Sequence, residues 1–253
     1  MPEINITQLP QYMPTQTAIY LFERLEGVIC LSGSWNQPNT LLRYDIISAA
    51  PSHRLREQNN QLFVTTDNKT DIEHLTCLEW LDRHFQNPFF SNQTQGPDKH
   101  PELPTAFGFI GYMSYDYGRL LETLPDNTIN DTRLPDVCGG IYHWNFVNDH
   151  QTQTSYLLFA DSCPESTKDL VLAALINTSL HVETFSLKQP FQKNSLQSTY
   201  KSAFSKIKHY ISEGDCYQIN YAHRHQTNYT GSAAEAYLQL KTKINTPYSA
   251  YLD

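Results

Sequence analysis

The feature that most constrains the fold is a succession of short β-prone runs, each closed by a turn signal. Residues 17–22, 27–32, 42–48 and 61–65 are such runs, divided by the charged stretch Glu23–Glu26 and by Pro51. β-branched and aromatic residues suit a pleated, half-buried surface, and a meander of this kind favours antiparallel pairing. Further strands are expected at 106–115, 139–147, 155–160 and 180–184.

Helices interrupt these strands wherever the apolar spacing changes from two to three and four. Ile72, Leu75, Leu78, Leu81 and Phe85 predict a helix over 71–85, capped by Asp71 or Thr70. A second helix is expected over 166–176. Tyr200, Ala203, Phe204, Ile207, Tyr210 and Ile211 form one face of a third, which Gly214 stops as a left-handed C′ glycine. Residues 215–227 alternate, with Tyr217, Ile219, Tyr221, His223 and His225 on one face, and predict a long strand. A helix over 233–243 and a strand from Tyr248 follow. The polar, proline-bearing stretches 86–104 and 186–198 are read as a surface loop and a junction. The expected fold class is α+β, with layered antiparallel β-sheets and outer helices.

Composition narrows the function classes. Apolar residues make up 40% of the 253-residue chain, enough for a core and too many for wholesale disorder. The net charge of −8, with no basic run, argues against nucleic acid and anionic membrane surfaces as partners. No apolar run approaches the roughly 20 residues that span a bilayer, and the N-terminus lacks a signal peptide pattern, so the cytoplasm is the expected compartment. The five cysteines (Cys30, Cys77, Cys138, Cys163, Cys216) are scattered without a CxxC, which suggests neither a disulfide framework nor a zinc site. The final apolar strand, opening just before the last residue, leads us to expect the N-terminal part of a longer protein, truncated here.

Two motifs stand out. Phe107-Gly-Phe-Ile-Gly-Tyr-Met-Ser-Tyr-Asp-Tyr-Gly-Arg119 places glycines in a strand context, which points to close backbone approach or to a bulged strand, with Arg119 pairing Glu122. Its glycine spacing does not fit a nucleotide loop. Glu213-Gly-Asp-Cys-Tyr-Gln-Ile-Asn-Tyr-Ala222 contains Cys216, read as a small buried side chain rather than a nucleophile. His223-x-His225 offers two imidazoles without an identifiable third ligand. The residues alone assign no catalytic group and no metal site.

These segments resemble the chorismate-utilising enzyme family, in its branch of aminodeoxychorismate (para-aminobenzoate) synthase and anthranilate synthase component I. Gly111–Arg119 with Glu122 and Leu124-Pro125, Leu134-Pro-Asp136, Gly140–Trp144, Tyr200–Ala222 and Pro247-Tyr-Ser-Ala250 carry the resemblance, which covers essentially the whole chain. It implies an N-terminal region over 1–190 and the incomplete start of a chorismate-binding region over 195–253. Cys30-Leu-Ser-Gly33 stands where anthranilate synthases usually carry Leu-Leu-Glu-Ser, which favours the para-aminobenzoate side.

The implied activity is that of a transferase: amination of chorismate to 4-amino-4-deoxychorismate, with Mg²⁺ as cofactor and ammonia from a glutamine amidotransferase partner. The reactive lysine, the acid/base groups and the Mg²⁺ ligands of the family fall after the Pro-Tyr-Ser block, so this stretch alone is expected to be inactive. The resemblance also implies a pocket for L-tryptophan lined by Ser32, Arg43, Tyr44, Tyr217, Pro247 and Tyr248; the alternative is that the three tyrosines form a core between sheets. Two other readings are anthranilate synthase component I and a non-catalytic amino-acid-binding or scaffold fragment.

Overall fold

The structure, a computed structural model, describes residues 4–33, 43–86, 103–124, 130–176, 182–244, 246 and 248–253. In chain order the strands are β1 (Ile4–Gln8), β2 (Ile29–Ser32), β3 (Tyr44–Ser48), β4 (His53–Gln58), β5 (Gln61–Thr66), β6 (Lys69–Glu73), β7 (Gly108–Met113), β8 (Val137–Tyr142), β9 (Trp144–Asp149), β10 (Thr154–Ala160), β11 (Ser186–Leu187), β12 (Gln192–Lys193), β13 (His225–Gln226), β14 (Tyr229–Thr230) and β15 (Ser249–Leu252). The helices are α1 (Thr15–Phe22), α2 (Cys77–Phe85), α3 (Gly118–Leu121), α4 (Glu165–Ile176), α5 (Gln197–Glu213) and α6 (Ala233–Lys243). Two compact units result, one of residues 1–181 with 237–253 and one of residues 182–236. The architecture is α+β, and every strand pairing is antiparallel.

The first unit is built on two sheets. The larger has the order β1-β10-β9-β3-β2-β15. One of its faces buries Trp144, Phe146 and Ile47 under α1, whose Phe22 meets the Trp144 ring edge-on at 4.9 Å. The opposite face carries Val147, Leu158 and Tyr156 with Leu103, Ile46 and Phe107. The expected strand over 17–22 is a helix. Thr15, Ala18, Ile19 and Phe22 are buried at steps of three and four, so the tertiary face overrides the β-prone composition.

The smaller sheet runs β6-β5-β4-β8-β7. Asn59-Asn60 and Asp67-Asn68 all take positive φ, between 49° and 63°, and close two tight hairpins whose twist matches the strands. The helix expected over 71–85 is therefore divided. Residues 69–73 pair with β5, and α2 begins only at Cys77, where Thr76 and Glu79 form a reciprocal capping box. The run 139–147 is likewise two strands, which change sheets at His143. α2 buries Cys77 and Leu81 against Leu55, Leu62, Val64, Val137 and Ile141.

Gly111 and Gly139 face each other across β7 and β8. A Cβ on Gly139 would lie 2.6 Å from the Ile110 carbonyl oxygen and 2.7 Å from the Gly111 Cα. The backbones approach too closely for any side chain, which is what the glycine-bearing motif provides.

In the second unit α5 ends at Gly214, whose φ of +83° is left-handed as expected; the Asp215 N–H reaches back to the Tyr210 carbonyl at 3.0 Å. The long strand expected over 215–227 does not form. Only His225–Gln226 enters a ladder, with β12, while β14 pairs with β11. Alternation makes a strand only where a partner edge is offered, and residues 215–224 have none among the described residues. Of the strand expected over 180–184, residues 180 and 181 lie outside the described residues, and 182–184 are irregular.

Gly139→Ala is expected to destabilise the first unit by about 1–3 kcal/mol, the range for forcing a group into a packed site, lowering the melting temperature by about 2–4 °C per kcal/mol. A thermal melt indistinguishable from the parent protein would contradict the close approach.

Candidate functional site

Antiparallel register assembles a cleft in the first unit. Leu31 lies beside Ile46 on β3 and Ala250 on β15, so three small or apolar side chains share one sheet face. Tyr44, Tyr248 and Pro104 wall the space, with Ser32, Gly33 and Ser249 at its border; its volume is about 460 Å³. The lining is mostly apolar with aromatic walls, the character of a site for a flat organic ligand.

The sequence-predicted residues divide as follows. Ser32, Tyr44 and Tyr248 border this cleft. Arg43 stands next to it: its guanidinium lies 4.9 Å from the Tyr44 ring centroid and grips the Asp149 carboxylate by two bonds, Nε to Oδ1 at 2.7 Å and Nη2 to Oδ2. Tyr217 belongs to the second unit, where it is fully exposed. Pro247 lies outside the described residues. Tyr248 is 71% exposed, so it acts as a rim and not as a core residue.

Ser32 is 6% exposed, and alternation directs its side chain to the face opposite Leu31. There its hydroxyl hydrogen-bonds to the Tyr237 hydroxyl of α6. Beside it Asp45, fully buried, accepts from the Thr15 hydroxyl (2.6 Å), the Gly33 N–H (3.2 Å) and the Lys241 Nζ (3.0 Å), with the His150 Nε2 at 2.9 Å. Burial opposes the charge on Asp45, but His150 and Lys241 outweigh it and hold the carboxyl below its ordinary range. Burial likewise opposes the charge on Asp149, and the bonds from Arg43 and Thr152 prevail.

Sequence reasoning missed Asp45, Lys241 and Tyr237. The available signal was a lone carboxylate between Tyr44 and Ile46 in a buried strand, which requires a partner elsewhere in the chain.

The glycine-bearing motif serves architecture. Tyr117 is buried under α2, its hydroxyl accepting from the Leu78 N–H at 3.4 Å. Arg119, expected to pair with Glu122, pairs with Asp116 at 3.0 Å in the turn. In the second unit the His223 and His225 rings are 4.8 Å apart. Among the described residues no three His, Cys, Asp or Glu side chains are arranged to hold a metal ion, so these residues do not fit a Mg²⁺ centre. No described helix is long and apolar enough to cross a membrane.

Residues 33–253 match the chorismate binding enzyme family. The chain belongs to that family. Among curated proteins, aminodeoxychorismate synthase component 1 of Escherichia coli K12 is 30% identical over 243 residues, covering 93% of this chain and 50% of that one. The Klebsiella aerogenes protein of the same name is 35% identical over 156 residues, 62% of this chain and 34% of that one. Anthranilate synthase component 1 of Bacillus subtilis is 24% identical over 268 residues, 94% of this chain and 50% of that one. The chain thus spans about half the length, or less, of these curated relatives. Among solved structures, anthranilate synthase component I of Streptococcus pneumoniae matches with a TM-score of 0.56 at 19% identity, over 82% of this chain and 46% of that one, which establishes a shared fold. In this family member the cleft is formed by elements at both ends of the chain, β2–β3 and β15.

Arg43→Met is expected to lower stability at neutral pH by about 1–3 kcal/mol, because it leaves the buried Asp149 carboxylate without its charged partner. Chemical denaturation checks this, and pairing the change with Asp149→Asn should recover part of the loss.

Proposed function

We propose that this chain supplies the N-terminal part of component I of an aminodeoxychorismate synthase. The complete enzyme would replace the C4 hydroxyl of chorismate with ammonia, forming 4-amino-4-deoxychorismate and water. The observation that carries this reading is the 30% identity to the Escherichia coli component 1 across 243 residues. The unlike residues Cys30-Leu-Ser-Gly33, at the end of β2, support the same side of the family. The word component in the relatives' name supports a second subunit, which we read as the glutamine amidotransferase that delivers ammonia. Chorismate is a dianion, so the complete enzyme would need cationic groups to hold its carboxylates, and Mg²⁺, if bound, would supply further positive charge. We assign those groups to polypeptide beyond the residues described, and the cytoplasm as the compartment.

We further propose that the Tyr44–Tyr248 cleft binds an aromatic amino acid, L-tryptophan being the resemblance-based choice. The support is chemical. Two aromatic walls and the Leu31–Ile46–Ala250 floor match an indole in size and polarity. The Ser32 hydroxyl, engaged by Tyr237, supports the border of the cleft from behind rather than reaching in as a ligand contact.

Two measurements test these readings. Product analysis of the intact enzyme with chorismate, Mg²⁺ and ammonium should yield aminodeoxychorismate, whereas anthranilate would transfer the chain to the tryptophan branch. Residues 1–253 alone should show no turnover. Calorimetric titration of the intact protein with L-tryptophan should give binding that weakens by at least about tenfold in Tyr248→Ala, the scale of losing one aromatic wall. Absence of heat with the parent protein would remove the ligand assignment and leave the enzyme assignment standing.

A further inference from the structure

Away from the cleft, three imidazoles meet where α2 lies on the smaller sheet. His53 opens β4, His84 lies in the last turn of α2, and His143 joins β8 to β9. The His53 and His84 rings are 5.1 Å apart, and Trp80 packs against both, at 5.5 Å from His53 and stacked on His84 at 4.6 Å and 15°. The Ser52 hydroxyl bridges the other pair, 2.9 Å from the His53 Nδ1 and 2.7 Å from the His143 Nε2. The Ser162 hydroxyl lies 2.9 Å from the His143 Nδ1.

We propose that His53, His84 and His143 form an acid-operated latch, which fastens the C-terminal end of α2 to the smaller sheet at neutral pH and releases it on acidification. Hydrogen-bond arithmetic supplies the mechanism. Ser52 has one proton, so it serves two neutral rings by donating to one and accepting from the other. If His53 and His143 are both protonated, both donate toward the same oxygen, and the Ser52 proton is left with the long contact to the Ile141 carbonyl at 3.4 Å. His84 adds a third positive charge at short range in a partly dry site.

The neighbouring groups set the direction. Burial lowers His53, opposed by Asp67 at the β5–β6 turn. Burial and then His53 lower His84. Burial, followed by His53 and His84, lowers His143 to about 4. The packed cluster thus prefers neutral rings, while an opened cluster takes protons near the ordinary value of about 6.5. Stability of the closed latch is therefore complete above that value and is lost as pH falls toward 4.

At the other end of α2 the buried Glu57 carboxylate accepts from the Cys77 N–H at 2.9 Å, close to the Tyr117 hydroxyl, and burial raises its pKa. The bond from Cys77 favours the carboxylate, but burial outweighs it, so through Glu57 the packed state gains as pH falls, by the same linkage with the opposite sign. Glu79, also at this end, is held below its ordinary range by its bonds to Thr76 and is exposed. The helix should therefore open from its His84 end. Phe85, the last helical residue, covers Gly108 at the start of β7, at a spacing a Cβ would reduce to 3.4 Å, so opening would uncover the glycine-bearing strand.

The test is a Trp80 fluorescence titration of the intact protein from about pH 8 to about pH 4.5, followed in parallel by far-UV circular dichroism. A protonated imidazole quenches a stacked indole, so the Trp80 share of the emission, one of three tryptophans, should fall in a transition centred below about 6.5, while the sheet signal persists. Trp80→Phe should abolish the transition, and His84→Gln should shift it or reduce it; His53→Gln serves if the His84 variant does not fold. The latch is overturned if the transition survives Trp80→Phe, if the sheet signal is lost in the same step, or if the histidine variant that folds leaves the midpoint and amplitude unchanged.

Discussion

A single buried carboxylate governs the larger sheet. Asp45 sits in β3, flanked by β2 and β9, with no exposure to water. An isolated charge there would carry a desolvation penalty of several kcal/mol, so the chain must bring partners to it. They come from far apart in sequence: Thr15 from α1, Gly33 from the end of β2, His150 from the end of β9 and Lys241 from α6. Slipping β3 by one residue would turn Asp45 onto the face of Val147 and Leu158, where those partners cannot follow. The carboxylate thus specifies register, and with it the positions of α1 and the end of α6 on the first unit.

The cleft inherits its shape from that register. The face that carries Asp45 and Ser32 also buries Ile47 and Phe146 and is polar only where Tyr237 and Lys241 reach it, whereas the opposite face is apolar at Leu31, Ile46 and Ala250. Because the same strands carry both faces, the border of the cleft is fixed by bonds made behind it. Gly33 is held through its N–H, Ser32 through its hydroxyl, and Arg43 through Asp149. A ligand would meet a preformed surface, and little ordering would accompany binding.

What could be read in the sequence follows from how local each signal is. α5, its stop at Gly214 and α6 were legible because helix periodicity and a left-handed glycine act within a few residues. α1 was hidden because its buried residues are also β-prone, so composition and spacing gave opposite answers. Ile72 extended the α2 pattern backward by coincidence; it lies in β6 opposite Phe63 and is 55% exposed. The alternation over 215–227 described a capacity to pair, and pairing depends on an edge elsewhere. In the cleft, resemblance located Ser32, Tyr44 and Tyr248, whereas Lys241 and Tyr237 emerge only when α6 is laid beside β2 and β3. A contact separated by about 200 residues leaves no local trace.

The most distinctive motif of the chain also shows why family membership and residue role are separate inferences. Phe107–Arg119 carries part of the resemblance, yet several of its residues make structural contacts, while Tyr115 is fully exposed. Gly111 lets β7 approach β8, Tyr117 supports the start of α2, and Asp116 pairs with Arg119 in the following turn. Each of these contacts has a steric or hydrogen-bonding reason that holds without any substrate. A signature can therefore be specific to a family because the architecture it builds is exacting, and reactive groups need not lie within it.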